Sequence, residues 1–321
     1  MKRNKTITYP TLNPTIVNEN NAIHIALLYG GMSAEREVSI MSFEGFKNAL
    51  LSLGYKVTPV DMGYDIGEHL LKLNPDIVFN GLYGTYGEDG CLPGLLEILG
   101  IKYTHSGVLA SAIGMNKEVS FDMLTANGFK ITDYKIISKS DNIKSDPMKR
   151  PYVIKPISEG SSVGVELIFP EDDFNFANYP WLHGDKIIVQ EYVKGREINV
   201  AVFENKAIGM LEIIPLKNRF YDYETKYTDG MAKHVIPDLD KKVEAKILEL
   251  AEKAHNIMGC KNISRVEFLY EDKKGIDGIH ILELNTHPGM TPLSIVPEIC
   301  ANNGISYEDI LHSLVQDGIK S

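Results

Sequence analysis

The apolar run IHIALLY at 23–29 stops at Gly30-Gly31, and from about Glu35 to Leu53 the positions Val38, Met41, Gly45, Ala49 and Leu53 recur at helical spacing. A strand that feeds a helix through a glycine turn returns most simply to the same sheet as a parallel strand. Two more strand-like runs, KVTPVDM and DIVFNGLYG, follow with a helical stretch at about 67–73 between them. This part of the chain therefore predicts an α/β unit with a parallel sheet, with further helices at 92–99 and, as one long segment ended by Gly128, at 110–127. From about 129 the texture changes to short β-rich runs, FKITDYKII, PYVIKP, VGVELIF and KIIVQEYV, broken by Gly, Pro, Asn and Asp, which predicts a smaller, more antiparallel unit. The last third adds REINVAVF, GMLEIIP, a polar loop at 217–230, an amphipathic helix and the strands NISRVEFLY and GIHILELN. In that helix Val243, Ile247, Leu250, Ala251, Ala254, Ile257 and Met258 share a core-facing side, and the preceding DLDKKVEAK reads as its solvated start.

At 321 residues the chain has room for two or three compact units. The division expected is 1–21 as a poorly ordered arm, 22–112, 113–195 and 196–321. No segment approaches the roughly 18 apolar residues of a membrane span. The basic start MKRNKTITYPTLNP lacks the apolar core of a secretory signal, so a cytoplasmic location is expected. A formal net charge of -10 argues against nucleic acid as a partner, while local lysines can still hold small anions. Cys91, Cys260 and Cys300 are odd in number and far apart, which reads as reduced core thiols and neither a disulfide framework nor a thiolate metal site.

Within YVIKPISEGSSVGV, at 152–165, a strand carrying Lys155 leads into a loop of Glu, Gly and Ser. Backbone N–H groups and hydroxyls in such a loop can converge on a phosphate. A plain hairpin turn between YVIKP and VGVELIF accounts for the stretch equally well. The tie is broken further on. In SRVEFLY, Arg265 and Glu267 fall on one face of a strand, with Val266 and Phe268 on the other. In HILELN, Glu283 and Asn285 do the same, with Ile281 expected as a third neighbour and Leu282 and Leu284 opposite. Paired through the polar turn EDKKGIDG, the two strands bring two carboxylates, an amide and a guanidinium together. That donor set suits magnesium bridging protein to nucleotide phosphates, so the Gly/Ser loop and the carboxylate strands belong to one site.

GGMSAEREVS at 30–39, YGTYGEDG at 83–90, KPISEGSSVGV at 155–165, FYDYETKY at 220–227 and ELNTHPGMTPLS at 283–294 together resemble the D-alanine–D-alanine ligase family of the ATP-grasp superfamily, from about residue 23 to the C-terminus. The resemblance implies an α/β (α+β) fold of ATP-grasp architecture: an N-terminal parallel α/β domain, a small β-rich central domain and a C-terminal α+β domain, with ATP between the last two. It implies an ATP-driven union of two D-alanines for peptidoglycan precursor synthesis, through a D-alanyl phosphate. The cofactors implied are ATP and magnesium, two ions, with manganese able to substitute, and the assembly implied is a homodimer.

Matched motif to motif, Glu35 holds the ammonium of the first D-alanine, and Ser161 and Tyr227 bond with it. Lys117, Lys155 and Lys226 match the lysines on the ATP phosphates, with Glu159, Ser161 and Ser162 in the loop over them. Gln190, Glu191 and Val193 match the hinge that holds adenine, and Glu197 the ribose ligand. Arg265 and the Gly289 N–H match the oxyanion hole, Glu267, Glu283 and Asn285 the magnesium ligands, and Ser294 the group for the second substrate's carboxylate. Three positions depart from the family's usual residues: Tyr83, a substrate-side position where the family often has His, Gln190 for Glu, and Glu267 for Asp. Tyr227, where relatives making D-alanyl-D-lactate have Phe, points to a dipeptide product. The alternatives are another ATP-grasp carboxylate–amine ligase and a nucleotide-binding regulatory module without turnover. His287 and Met290 are read as structural, Trp181 as a surface or contact residue, and histidine metal ligation is not expected.

Overall fold

The structure, a computed structural model, describes residues 22–160, 163–216, 232–291 and 294–320. Three sheets organise them. The first is parallel, in the order β2-β1-β3-β4, built from β1 (His24–Tyr29), β2 (Lys56–Asp61), β3 (Ile77–Asn80) and β4 (Lys102–Tyr103). The four central residues of β1 are fully buried, as expected of a parallel strand covered on both faces. One face, through Ala26, Leu28 and Val78, packs on Leu70 of α2 (Ile66–Leu73) and Leu96 of α3 (Cys91–Leu99). The other, through Ile25, Leu27 and Phe79, packs on α1 (Arg36–Ser52).

The segment expected as one helix over 110–127 is two, α4 (Val108–Met115) and α5 (Lys117–Ala126). Asn116 between them is extended (φ -99°, ψ 101°), and its side-chain oxygen accepts the Val119 N–H at 3.1 Å, capping α5. An N-cap asparagine satisfies an otherwise orphan helix donor, which makes the break locally favourable. Its consequence is positional: Lys117 opens α5, and its N–H is held by the Ile157 carbonyl at 3.0 Å.

The second sheet is antiparallel, β5-β8-β6-β7, from β5 (Tyr134–Ser138), β6 (Tyr152–Pro156), β7 (Glu166–Ile168) and β8 (Lys186–Glu191). Tyr152, Ile154, Ile187 and Val189 turn to its core, where Trp181 packs edge-on against Phe176 and Tyr179. Val153, Leu167 and Gln190 form a cross-strand row on the other face.

The third sheet, β11-β10-β9-β12-β13, is antiparallel too: β9 (Arg196–Phe203), β10 (Lys206–Pro215), β11 (Ala232–Val235), β12 (Ser264–Tyr270) and β13 (Ile279–Asn285). Its core face is Ile198, Val200, Val202, Val266 and Phe268 against Ile247, Ala251 and Ala254 of α6 (Lys241–Ile257), which Asp240 caps. On the other face one apolar cluster continues from β1 and α1 through Ala201, Leu211 and Met290 to α7 (Ile295–Asn302) and α8 (Tyr307–Lys320). The first and third sheets thus share a core.

Two expectations on this sheet are corrected. β12 and β13 pair as expected, with Arg265 opposite Asn285 and Glu267 opposite Glu283, but the register then slips so that Phe268 faces Ile281. Leu282 is the extra residue of a bulge, which reverses the alternation. Ile281 therefore joins the core with Phe268, and Leu282 turns to the face of the carboxylates. Of the cysteines, Cys260 and Cys300 are buried, whereas Cys91, at the start of α3, is exposed.

Candidate active site

The opposite face of the third sheet carries the chemistry. Register places Glu197 beside Leu269, then Asn199, Glu267 and Glu283 in one row, then Ala201, Arg265 and Asn285 in the next. Arg265 donates to one oxygen of Glu267 through Nε at 2.9 Å and through Nη2 at 2.5 Å. Both side chains are mostly withdrawn from water, so this pair is charge-assisted and poorly screened. The second sheet faces this one across a cleft: Val153, Leu167 and Gln190 on one wall, Leu269 and Leu282 on the other, with Lys155, Glu191, Val193 and Glu197 around them. Gln190 is buried, and its Nε2 has no partner among the described residues, nor does the hydroxyl of Thr132 nearby. A buried amide without a partner costs stability, so one in a cleft marks a place where a polar ligand edge fits. Burial lowers the Lys155 ammonium from its usual range, with Glu283 opposing and Lys117 reinforcing the shift.

A second cavity joins the first at Lys117, Glu159, Gly160 and Glu283, which line both. At the junction the Lys117 ammonium donates to the Glu159 carbonyl at 2.6 Å. The second cavity draws on separate parts of the chain: Glu35, Tyr83, Glu88, Arg265, Asn285, Gly289 and Ser294. Glu35 sits at the N-terminus of α1, buried, with its N–H on the Ser33 hydroxyl at 3.1 Å. Two glycines back its carboxylate: a Cβ at Gly84 would lie 2.7 Å from Glu35 Oε2, and one at Gly160 3.3 Å. Gly84 also has φ +69°, so glycine is required there twice over. Glu88 shares the cavity, and burial pushes its carboxyl well above the usual range, with the charge of Glu35 adding and Arg265 opposing. Burial and the neighbouring Glu35 charge thus both disfavour a second negative charge there.

Ser294 precedes α7 without capping it; its Oγ accepts the Thr291 N–H at 2.9 Å and lies 3.1 Å from where a Cβ on Gly289 would be. Beneath these residues two imidazoles, His105 and His287, stack at 3.8 Å, with the Tyr83 ring edge-on to His287. Burial drives His287 down to about 3 and His105 well below its usual value, so both are neutral, and the Nε2 atoms of both have no partner among the described residues.

Every sequence-derived site residue among the described residues lies on one of the two cavities. Ser161, Ser162, Lys226 and Tyr227, and the arm 1–21, lie outside the described residues. Sequence reasoning missed Glu88, the apolar pair Leu269 and Leu282, Thr132 and the imidazole stack. Glu88 stands inside the YGTYGEDG motif and could have been found there as a carboxylate near Tyr83; the imidazole stack joins residues 182 positions apart and leaves no local signal.

The oxygen donors Glu267, Glu283 and Asn285 fit a hard divalent cation by chemistry and register. Among the described residues no cluster of three or more His, Cys, Asp or Glu could hold a metal by itself, so phosphate oxygens and water would have to complete the shell. Among the described residues no helix is long and apolar enough to cross a membrane.

The family model described as D-ala D-ala ligase C-terminus matches residues 109–316. A D-alanine--D-alanine ligase of Rickettsia bellii is 56% identical over 302 residues, 94% of this chain and 94% of that protein. One from Rickettsia canadensis is 53% identical over 319 residues, 97% of this chain and 90% of that protein. Among solved structures, a D-alanine--D-alanine ligase from Bacillus anthracis complexed with ATP aligns with a TM-score of 0.80 at 25% identity, over 93% of this chain and 98% of that one. The D-alanine-D-alanine ligase from Coxiella burnetii aligns at 0.75 and 25%, over 93% and 94%.

Proposed function

The chain belongs to the D-alanine–D-alanine ligase family, and from that premise we propose how its two cavities join two D-alanines at the expense of ATP. The observation that carries the reading is their meeting at Lys117, Glu159, Gly160 and Glu283, with an apolar, amide-bearing cleft on one side and a carboxylate-lined chamber on the other.

Adenine lies between the Val153–Leu167 wall and Leu269 and Leu282, its polar edge on Gln190 and the backbone of Glu191 to Val193, with ribose on Glu197. Lys117 and Lys155 neutralise the phosphates, joined by Lys226 and by Glu159, Ser161 and Ser162 of the Gly/Ser loop. Phosphate contact restores the charge that burial disfavours on Lys155. Glu267, Glu283 and Asn285 hold magnesium, or manganese in its place, and the ion supplies charge neutralisation on the transferring phosphate.

In the chamber the ammonium of the first D-alanine pairs with Glu35, assisted by Ser161 and Tyr227. The same ammonium relieves the burial and like-charge repulsion that push the Glu88 carboxyl upward. The first carboxylate attacks the γ-phosphorus, ADP leaves and an acyl phosphate remains; the amine of the second D-alanine, its carboxylate on Ser294, then attacks the carbonyl. Arg265 and the Gly289 N–H receive the oxyanion, and collapse expels phosphate. A silent regulatory module is not favoured, since Arg265, Glu267, Glu283 and Asn285 stand together on one face.

The divisions near 112 and 195, a homodimer and a cytoplasmic location for ATP-driven chemistry complete the proposal. The test is phosphate release from magnesium ATP with D-alanine, L-alanine, or D-alanine plus D-lactate, with the product identified by mass. D-alanine-dependent release with D-alanyl-D-alanine supports it, and ATP binding without turnover refutes it.

A further inference from the structure

The loop that carries Gly289 and Ser294 is held at a single residue, Met290, by two tyrosines far apart in the chain. The Met290 N–H donates to Tyr83 Oη at 3.0 Å. The Met290 carbonyl accepts from Tyr307 Oη at 2.9 Å. The next N–H, of Thr291, is taken by the Ser294 hydroxyl at 2.9 Å.

Both phenols rest on α1, the helix that begins just after Glu35. Ser42 of α1 donates to the Val38 carbonyl at 3.1 Å, so at 3.2 Å from Tyr83 Oη its oxygen is left to accept the phenol's proton. Tyr83 then accepts from Met290 and donates to Ser42, using both capacities of a hydroxyl. One turn further along α1, the Phe46 ring stacks on the Tyr307 ring at 6.4 Å. At the other end of the Tyr83 residue, its carbonyl receives the Ser33 hydroxyl at 2.7 Å, and Ser33 in turn accepts the Glu35 N–H.

Resting on the ligase reading above, we propose that Tyr83 and Tyr307 are positioning residues for the second half of the reaction: together they clamp the backbone on both sides of Met290 and so set the Gly289 N–H and the Ser294 hydroxyl relative to Glu35. Tyr83 also lines the chamber, but its hydroxyl is committed to the loop and to α1, which gives this phenol a task of its own. The clamp acts on the amine's attack, where the oxyanion forms and the second carboxylate must be held, and not on nucleotide binding. A misplacement of about 1 Å in such a site costs on the order of 100-fold in rate. Loosening the clamp leaves the acyl phosphate to react with water: the water oxygen bonds to the acyl carbon or to phosphorus, the anhydride bond breaks, and D-alanine and phosphate are recovered with no dipeptide.

The test compares the unaltered protein with Tyr83→Phe, Tyr307→Phe and the double variant in magnesium ATP and D-alanine, reading dipeptide, phosphate, both D-alanine KM values and ATP KM, with thermal unfolding alongside. The clamp predicts a fall in dipeptide kcat of about 10-fold to 100-fold in each single variant. It also predicts a raised KM for the second D-alanine, an ATP KM within about twofold, and more than one phosphate per dipeptide. Because both phenols hold one residue, the double variant should lose less than the product of the single losses. Tyr307 lies outside the chamber lining, so it reads the clamp separately from any direct contact of Tyr83 with substrate. Dipeptide kcat and KM within twofold of the unaltered protein in both single variants, whatever the thermal shift, overturns the clamp alone. So do losses that multiply, or that raise the ATP KM in parallel. Absence of dipeptide from the unaltered protein overturns the ligase reading and the clamp with it.

Discussion

The nucleotide end and the alanine end of the site are built by different means. At the nucleotide end the walls are strand positions on two facing sheets, Val153, Lys155 and Gln190 against Glu197, Leu269 and Glu283, regular except at the Leu282 bulge. At the alanine end Glu35, Tyr83, Glu88, Gly289 and Ser294 come from loops and helix starts, and are held by buried hydrogen bonds over a floor of two neutral imidazoles. A strand places side chains by its pleat alone, so it can vary one wall residue without moving the next. A closed loop places them jointly, so one lost contact moves several groups. Recognition at the first end should degrade piecemeal, and at the second all at once.

The largest expected effect is that of Arg265→Ala, whose guanidinium lines the alanine-end chamber and pairs with Glu267 of the nucleotide end. Turnover should fall by at least about 1,000-fold, as when an oxyanion donor is removed, while the magnesium ATP dissociation constant measured by calorimetry changes little. Near-normal turnover would remove the oxyanion role. Gly84→Ala comes next: the added Cβ meets Glu35 Oε2 at 2.7 Å on a backbone with φ +69°, so the KM for the first D-alanine should rise about 100-fold with ATP affinity intact. If ATP affinity fell equally, the two ends would not be separable. Gln190→Ala should do the converse, weakening ATP by about 10-fold, the worth of one buried hydrogen bond, with the D-alanine KM values unmoved.

A separate effect, on folding and not on turnover, is the loss of stability in acid. His287 is driven down to about 3 and His255 to about 4, both by burial, and His105 lies well below its usual value. Their folded values lie below the roughly 6.5 of an unfolded chain, so the unfolded state binds more protons as pH falls. Stability is therefore full above about pH 6.5 and is lost as pH drops towards those folded values, by up to ~1.4 kcal/mol per pH unit for each group. Urea midpoints at pH 7.5 and 5.0 measure this. His105 and His287 underlie the alanine end and, among the described residues, no histidine lines the nucleotide end, so D-alanine KM should rise on acidification before ATP affinity falls.

The same contrast explains what could be read from the sequence. Period two places Arg265 with Glu267 and Glu283 with Asn285, because that alternation is set by the backbone alone. It fails at Leu282, where a bulge that no local residue announces exchanges Leu282 and Ile281 between faces. The helical spacing over 110–127 is real on both sides of Asn116, but periodicity does not register a cap that starts a second helix in the same run. The motif match brought Glu35, Tyr83, Gly289 and Ser294 to attention without saying what Tyr83 does. Its bond to the Met290 N–H joins residues 207 apart and is a property of closure. Glu88 is an ordinary acidic loop residue in sequence, and only burial beside Glu35 pushes its carboxyl upward.

The separateness of the two ends is tested most directly on Glu35→Gln, by measuring magnesium ATP affinity and D-alanine-dependent phosphate release on the same preparation. The charge on Glu35 faces the substrate ammonium and not the nucleotide, so ATP affinity should stay within about twofold while release falls by about 100-fold or more, the loss of a buried charge pair. Equal losses in both, or turnover unaffected by the change, would contradict it.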